Sequence, residues 1–252
     1  MIFNTGEWMI MAMTRGRRLA VWLGGGVVAL VVAVVGGTFL YIHVIEGPAP
    51  APLSLPGKSS SATPSASSAP SGTTATTPGS LPGTWTVRSG SQVGYRVKEV
   101  LFGQNNIAVG RTSSISGSMT IKGSVVTAAT FTVQMATIRS DQSQRDAQFN
   151  GRIMDTSTYP TGVLKLTRPI TIAPLPAAGV IKAYTATADL TLHGRTRTVT
   201  FTLKAERVGT VIETNGSIPV LFADWGIGNP SFGGAVTTQN HGLLEFLIKL
   251  AK

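Results

Sequence analysis

The sequence predicts an all-β fold: a mostly antiparallel sheet of about eight strands, closed into a barrel, with one short helix. Three observations predict it. In the stretch Ala188 to Leu203, Ala188, Leu190 and Leu192 alternate with Asp189, Thr191 and His193; after a Gly-containing turn, Val199, Phe201 and Leu203 alternate with Thr198, Thr200 and Thr202. A period of two on both sides of a turn marks two antiparallel strands with one buried face. The same alternation recurs along the roughly 170 residues after Thr84. Finally, the strand-like runs are separated by turn-forming pairs, Lys122-Gly123, His193-Gly194 and Asn215-Gly216, and by Gly228-Asn229-Pro230. A packed β-sandwich is the competing arrangement of the same strands.

Before the strands come three segments of different texture. Residues 1–18 form a basic leader with Arg15, Arg17 and Arg18. Residues 19–45 contain no Asp, Glu, Lys or Arg, and Val21 to Ile42 is long enough to cross a bilayer core of about 30 Å. The arginines precede the apolar run and Glu46 follows it, so the positive-inside rule places the leader in the cytoplasm and the remainder outside. The expected product is a single-pass membrane protein with an extracytoplasmic C-terminal domain. A cleaved secretory signal is the rival, but its apolar region is normally shorter and ends in an A-x-A-like site. Residues 46–83 are dominated by Pro, Ala, Ser, Thr and Gly, with too few large apolar side chains to offset ordering entropy. They read as a disordered linker.

Within the domain, residues 84–252, the strand signals run in order. Trp85 and Val87 open it, then Val93, Tyr95 and Val97, then Phe131, Val133 and Met135 between polar neighbours. Leu164 and Leu166, Ile170 and Ile172, and Ile218, Val220 and Phe222 continue the pattern. Leu244, Phe246, Ile248 and Leu250 close it, as a strand in preference to a short helix. Asp141 to Asp155 breaks the alternation and reads as the helix, capped by Asp141 or Ser143, with Phe149, Ile153 and Met154 as its apolar stripe.

Three stretches, in this order, carry a resemblance. They are T-W-T-V-R-S-G-S-Q-V-G-Y-R-V-K (Thr84 to Lys98), R-D-A-Q-F-N-G-R-I-M-D-T-S-T-Y-P (Arg145 to Pro160) and A-D-L-T-L-H-G-R-T-R-T-V-T-F (Ala188 to Phe201). Together they resemble the YceI-like family of lipocalin-like, polyisoprenoid-associated periplasmic or secreted proteins. The chain departs from that pattern at Ala147, Gln148 and Phe149, where members often carry His and Leu, and in its long linker. The resemblance implies an elongated antiparallel barrel around an apolar cavity, a long-chain lipid or isoprenoid ligand, and no catalysis.

The residues themselves point the same way. The chain has no cysteine, which excludes disulfides, thiolate metal sites and a thiol nucleophile. His43, His193 and His241 share no metal-ligand spacing, and no phosphate-cradling Gly loop or nucleophile elbow is present. No metal or cofactor is expected. His193 reads as a turn histidine bonded to backbone, and Arg145 and Asp146 as ion-pairing groups of the helix. From Thr84 onward 17 Lys/Arg face 9 Asp/Glu. These charges are dispersed without the interleaved aromatics of a nucleic-acid surface, which suits anionic lipid better than nucleic acid. By apolar size and position, Tyr95, Phe131, Met135, Phe149, Met154 and Phe201 are the candidate cavity-wall residues. The expected function is a membrane-anchored protein that sequesters or transports an isoprenoid or similar amphiphile, as a monomer or a dimer. The alternative is a non-enzymatic envelope interaction module whose barrel is filled by its own side chains.

Overall fold

The computed structural model describes residues 49–55, 80–174, 177–234 and 236–252, together with the isolated helical positions Gly26, Leu30 and Gly37. The leader, the predicted anchor and most of the linker lie outside the described residues. No helix among the described residues is long and apolar enough to cross a membrane.

Among the described residues twelve strands follow in order: β1 (Gly83–Val87), β2 (Gln92–Leu101), β3 (Gln104–Thr112), β4 (Ile115–Lys122), β5 (Val125–Gln134), β6 (Thr161–Leu166), β7 (Ile170–Thr171), β8 (Lys182–Leu192), β9 (Arg195–Val208), β10 (Val211–Leu221), β11 (Val236–Thr238) and β12 (His241–Ala251). Eight of them form a closed antiparallel ring, β1-β4-β5-β6-β8-β9-β10-β12, completed by pairing of β1 with β12. The predicted eight-stranded barrel is therefore the ring, and β2, β3, β7 and β11 are added to its edges. A sandwich would leave β1 and β12 unpaired.

Closure depends on a kink. β1 and β2 occupy the same edge of β12 in succession: Thr86 pairs with Ala251, and farther along Arg96 pairs with Leu243. Between them Ser91, 2 % exposed, fixes the bend. Its hydroxyl donates to the Arg88 carbonyl at 2.8 Å and accepts from the Lys249 amide at 2.9 Å. On β10, Pro219 sits where only β12 is paired, because β9 pairs with β10 no farther than Gly216. Its missing N–H thus costs no ladder bond.

Alternation places one parity of each strand inside. Ala186, Ala188 and Leu190 of β8, Phe201 of β9, Ile212, Ile218 and Val220 of β10, and Phe246, Ile248 and Leu250 of β12 form one buried cluster with Trp85. Each large side chain buried there contributes about 1.5–3 kcal/mol of transfer free energy.

The outer face of the same strands is not simply solvated. Glu245, buried and facing outward on β12, receives the Arg96 guanidinium at 2.6 Å and lies 3.7 Å from that of Arg111. Residues 49–55, part of the predicted linker, lie over this pair. The Pro50 carbonyl accepts from Arg96 at 2.5 Å, the Ala51 carbonyl from Arg111, and the Leu53 carbonyl from Asn215 at 3.0 Å. Leu55 is buried. Glu206 and Glu213, paired across β9 and β10, are buried too, and Lys249 Nζ donates to Glu213 at 2.9 Å.

Two expectations are corrected. Asn215-Gly216 is no turn: both lie inside β10, and the reversal comes at Gly209 and Thr210. A Cβ at Gly216 would stand 2.7 Å from Cζ of Phe246, so this glycine serves close packing. The helix spans Ser143–Gln148 and continues as a π-turn over Phe149–Ile153, with Gln142 at the N-cap position and no side-chain cap. Asp141 does not cap because its carboxylate pairs with Arg145 one turn on. Asp146 instead accepts from the Ser140 amide and hydroxyl, both at 2.8 Å.

Candidate functional site: a cavity inside the barrel

Inside the ring lies a cavity of about 320 Å³. Its volume falls at the lower end of the 300–1,000 Å³ usual for small-molecule sites, which suits one extended chain better than a bulky ring system. The space exists because β8 presents Ala186 and Ala188 inward where a larger residue would fill it. Opposite them stand Val93, Val97 and Tyr95 of β2 and Met119 and Ile121 of β4.

All six candidate wall residues line this cavity. Tyr95 comes from β2, Phe131 from β5 and Phe201 from β9, each on the inner parity of its strand. Met135 comes from the 3₁₀ turn after β5, and Phe149 and Met154 from the π-turn and the residue closing it. The aromatic rings hold one another: Tyr95 stacks on Phe149 at 5.1 Å, and Phe201 meets Phe246 edge-on at 5.9 Å. Residue size missed the alanines. Their parity with Leu190 placed them inside, but a small side chain marks the hollow and not the wall.

Polar groups meet the cavity at both ends, Glu99 and Arg145 at the one carrying the helix and Arg207 at the other. Arg145 reaches Glu99 at 3.1 Å as well as Asp141, and Asn106 donates to Glu99 at 2.9 Å. Arg145 is thus an ion-pairing group of the helix, as its position suggests, and it also fastens the helix to β2. The Tyr95 phenol beside them has its pKa raised, chiefly by burial; Arg145 opposes the shift, while Asp146, Glu99 and Asp141 add to it. The sign follows by linkage. The folded state holds the proton more tightly than the unfolded chain, so stability is full below pH about 10 and declines above it. Tyr95→Phe is expected to flatten that alkaline decline in urea titrations between roughly pH 9 and 11. An unchanged pH dependence would show that the phenol is not the group responsible.

The same end is sealed by a second device. The 3₁₀ turn Phe222–Trp225 packs its buried Phe222 and Trp225 into the core, and Trp225 Nε1 donates to the Leu190 carbonyl at 3.2 Å. His193 sits in the β8–β9 turn with φ 48°, its Nδ1 3.3 Å from the Trp225 carbonyl and its ring 4.5 Å from that of Tyr159. It is a turn histidine bonded to backbone. Gly194 completes the turn at φ 70°, and a Cβ there would lie 2.6 Å from Cε1 of Tyr159. Gly194→Ala is expected to cost about 1–2 kcal/mol in urea unfolding through backbone strain and displacement of Tyr159.

Residues 85–250 match the model of the YceI-like domain. Among solved structures, a polyisoprenoid binding domain from Saccharophagus degradans implicated in plant cell wall breakdown is similar at 15 % identity and a TM-score of 0.55, over 66 % of this chain and 97 % of that one. BcnA of Burkholderia cenocepacia is similar at 20 % identity and a TM-score of 0.48, over 63 % and 96 %. The YCEI protein of Campylobacter jejuni is similar at 10 % identity and a TM-score of 0.44, over 57 % and 84 %. At 15 % identity the likeness to the Saccharophagus degradans domain speaks for the fold alone. No curated protein sequence matches the chain.

Proposed function

This chain belongs to the YceI-like domain family, and on that premise we propose that it is an extracytoplasmic lipid-binding protein, tethered by its N-terminal apolar segment, that holds an isoprenoid or similar long-chain amphiphile inside its barrel. The observation that carries the reading is the cavity: about 320 Å³, walled almost wholly by aliphatic and aromatic side chains. Each methylene-sized group moved there from water gains about 0.8 kcal/mol, so a hydrocarbon tail binds without any polar recognition. A barrel filled by its own side chains, the interaction-module alternative, has no use for inward Ala186 and Ala188. That a similar barrel from Saccharophagus degradans is described as polyisoprenoid-binding supports the choice of ligand class. Binding without catalysis is the reading that the helical end of the cavity supports, since Glu99, Arg145 and Asn106 there are engaged with one another in an ion pair and a hydrogen bond.

The test is to purify the full chain in mild detergent, extract it with organic solvent and identify the lipids by mass spectrometry, with polyprenyl and quinone probes titrated in parallel. A stoichiometric long-chain species, or saturable probe uptake, is the expected result. No extracted lipid together with no uptake would overturn the reading.

A further inference from the structure

The barrel's two ends differ in charge, and the geometry points to the end away from the helix as a docking face for an anionic lipid bilayer. The rim at that end is made by the β4–β5 turn, by residues 167–174 and 177–181 between β6 and β8, and by the β9–β10 turn. Val180, Ile181 and Val208 are exposed on it, at 49 %, 41 % and 49 %. They are neighbours, since the Gly179 amide donates to the Arg207 carbonyl at 2.8 Å. Lys122, Arg168 and Lys204 are exposed around them, and Lys182 and Arg207 are half-buried on the rim.

What the rim lacks decides its partner. Along these rim segments the only carboxylates are Glu206 and Glu213, both buried. The opposite end also exposes Phe232 and Leu221, but it mixes Glu99, Asp141, Asp155 and Asp224 with its arginines, and Arg145 pairs with both Glu99 and Asp141. The domain's excess of positive charge is therefore concentrated where bare aliphatic side chains protrude. Apolar groups ringed by unopposed cations fit the boundary between acyl chains and anionic headgroups, and each cation near such a surface favours docking roughly fivefold. The cavity reaches this end through Ile170, Ile172, Tyr184 and Arg207. A docked barrel thus offers an amphiphile's tail a path out of the bilayer while its headgroup stays among the rim cations. That purpose rests on the lipid-binding reading above; the docking does not.

Because the native chain has no cysteine, single cysteines carry spin labels cleanly. Val180→Cys reports on the rim, and Gln144→Cys, exposed on the helix, reports on the opposite end. The full chain is reconstituted into vesicles of phosphatidylglycerol or of phosphatidylcholine. In phosphatidylglycerol the label at 180 should gain access to oxygen and lose access to a water-soluble nickel chelate, while the label at 144 stays in water. Replacing Lys122, Arg168 and Lys204 together by Glu should lower the docked-to-undocked ratio by about 100-fold or more. Immersion that persists in that triple variant, or a label at 180 as wet as the one at 144, would overturn the proposal. Lipid still extractable from an undocked barrel would sink the docking face alone; empty but immersed barrels would sink only the cavity reading.

Discussion

Ala186→Trp is expected to weaken uptake of long hydrocarbon chains about a hundredfold or more while leaving the barrel folded. Ala186 is 1 % exposed, faces inward at the middle of β8 and pairs with Phe201. An indole there occupies the space that a ligand's tail needs. Denying room to about four methylene groups removes about 3 kcal/mol of binding, roughly a hundredfold or more in Kd. Overpacking normally costs about 1–3 kcal/mol where a core is full, so a loss of stability at the low end of that range would itself report a hollow. Ala183→Trp, on the exposed side of the same strand, is the control and should bind normally. The measurement is probe titration beside urea unfolding. An unchanged Kd in the Ala186 variant would place the ligand elsewhere.

The second large effect lies on the outer face. Glu245→Ala is expected to cost about 3 kcal/mol, because it strands the Arg96 guanidinium beneath residues 49–55 without its counter-charge. The figure sits at the low end for a broken buried pair because the Arg96 and Arg111 side chains keep 12 % and 23 % of their exposure. Urea unfolding reads the stability, and limited proteolysis reads the release of residues 49–55 from Arg96, Arg111 and Asn215. A loss below about 1 kcal/mol would mean that the pair acts as an ordinary surface bridge.

Neither ion pair was legible as a contact in the sequence, and the reason is physical. Arg96 and Glu245 lie 149 positions apart and become neighbours only through the register of β2 on β12. What alternation did reveal was the inner parity of the long strands. Val93, Tyr95 and Val97 are inside, as are Leu190 and Phe201, since period two is a local property that tertiary structure only has to respect. Strand β3 was missed because Gln104-Asn105-Asn106 opens it and Gly110 interrupts it, so few large apolar residues mark its face. Asn215-Gly216 misled for the converse reason: a strong local turn signal was overruled by Phe246, which packs against the glycine from the next strand. The helix was recognised from its polarity, but the link from Arg145 to Glu99 depends on strand β2, which sequence distance conceals.

The meeting of β1 with β12 has a kinetic consequence. The Thr86 hydroxyl donates to the carbonyl of Ala251, 165 positions away, and a seam between such distant residues is entropically slow to form. Until it shuts, the greasy inner faces stand open to water and to other chains, so the half-made sheet is the species most prone to stick to its own kind. Refolding yield is therefore expected to fall as the chain concentration rises.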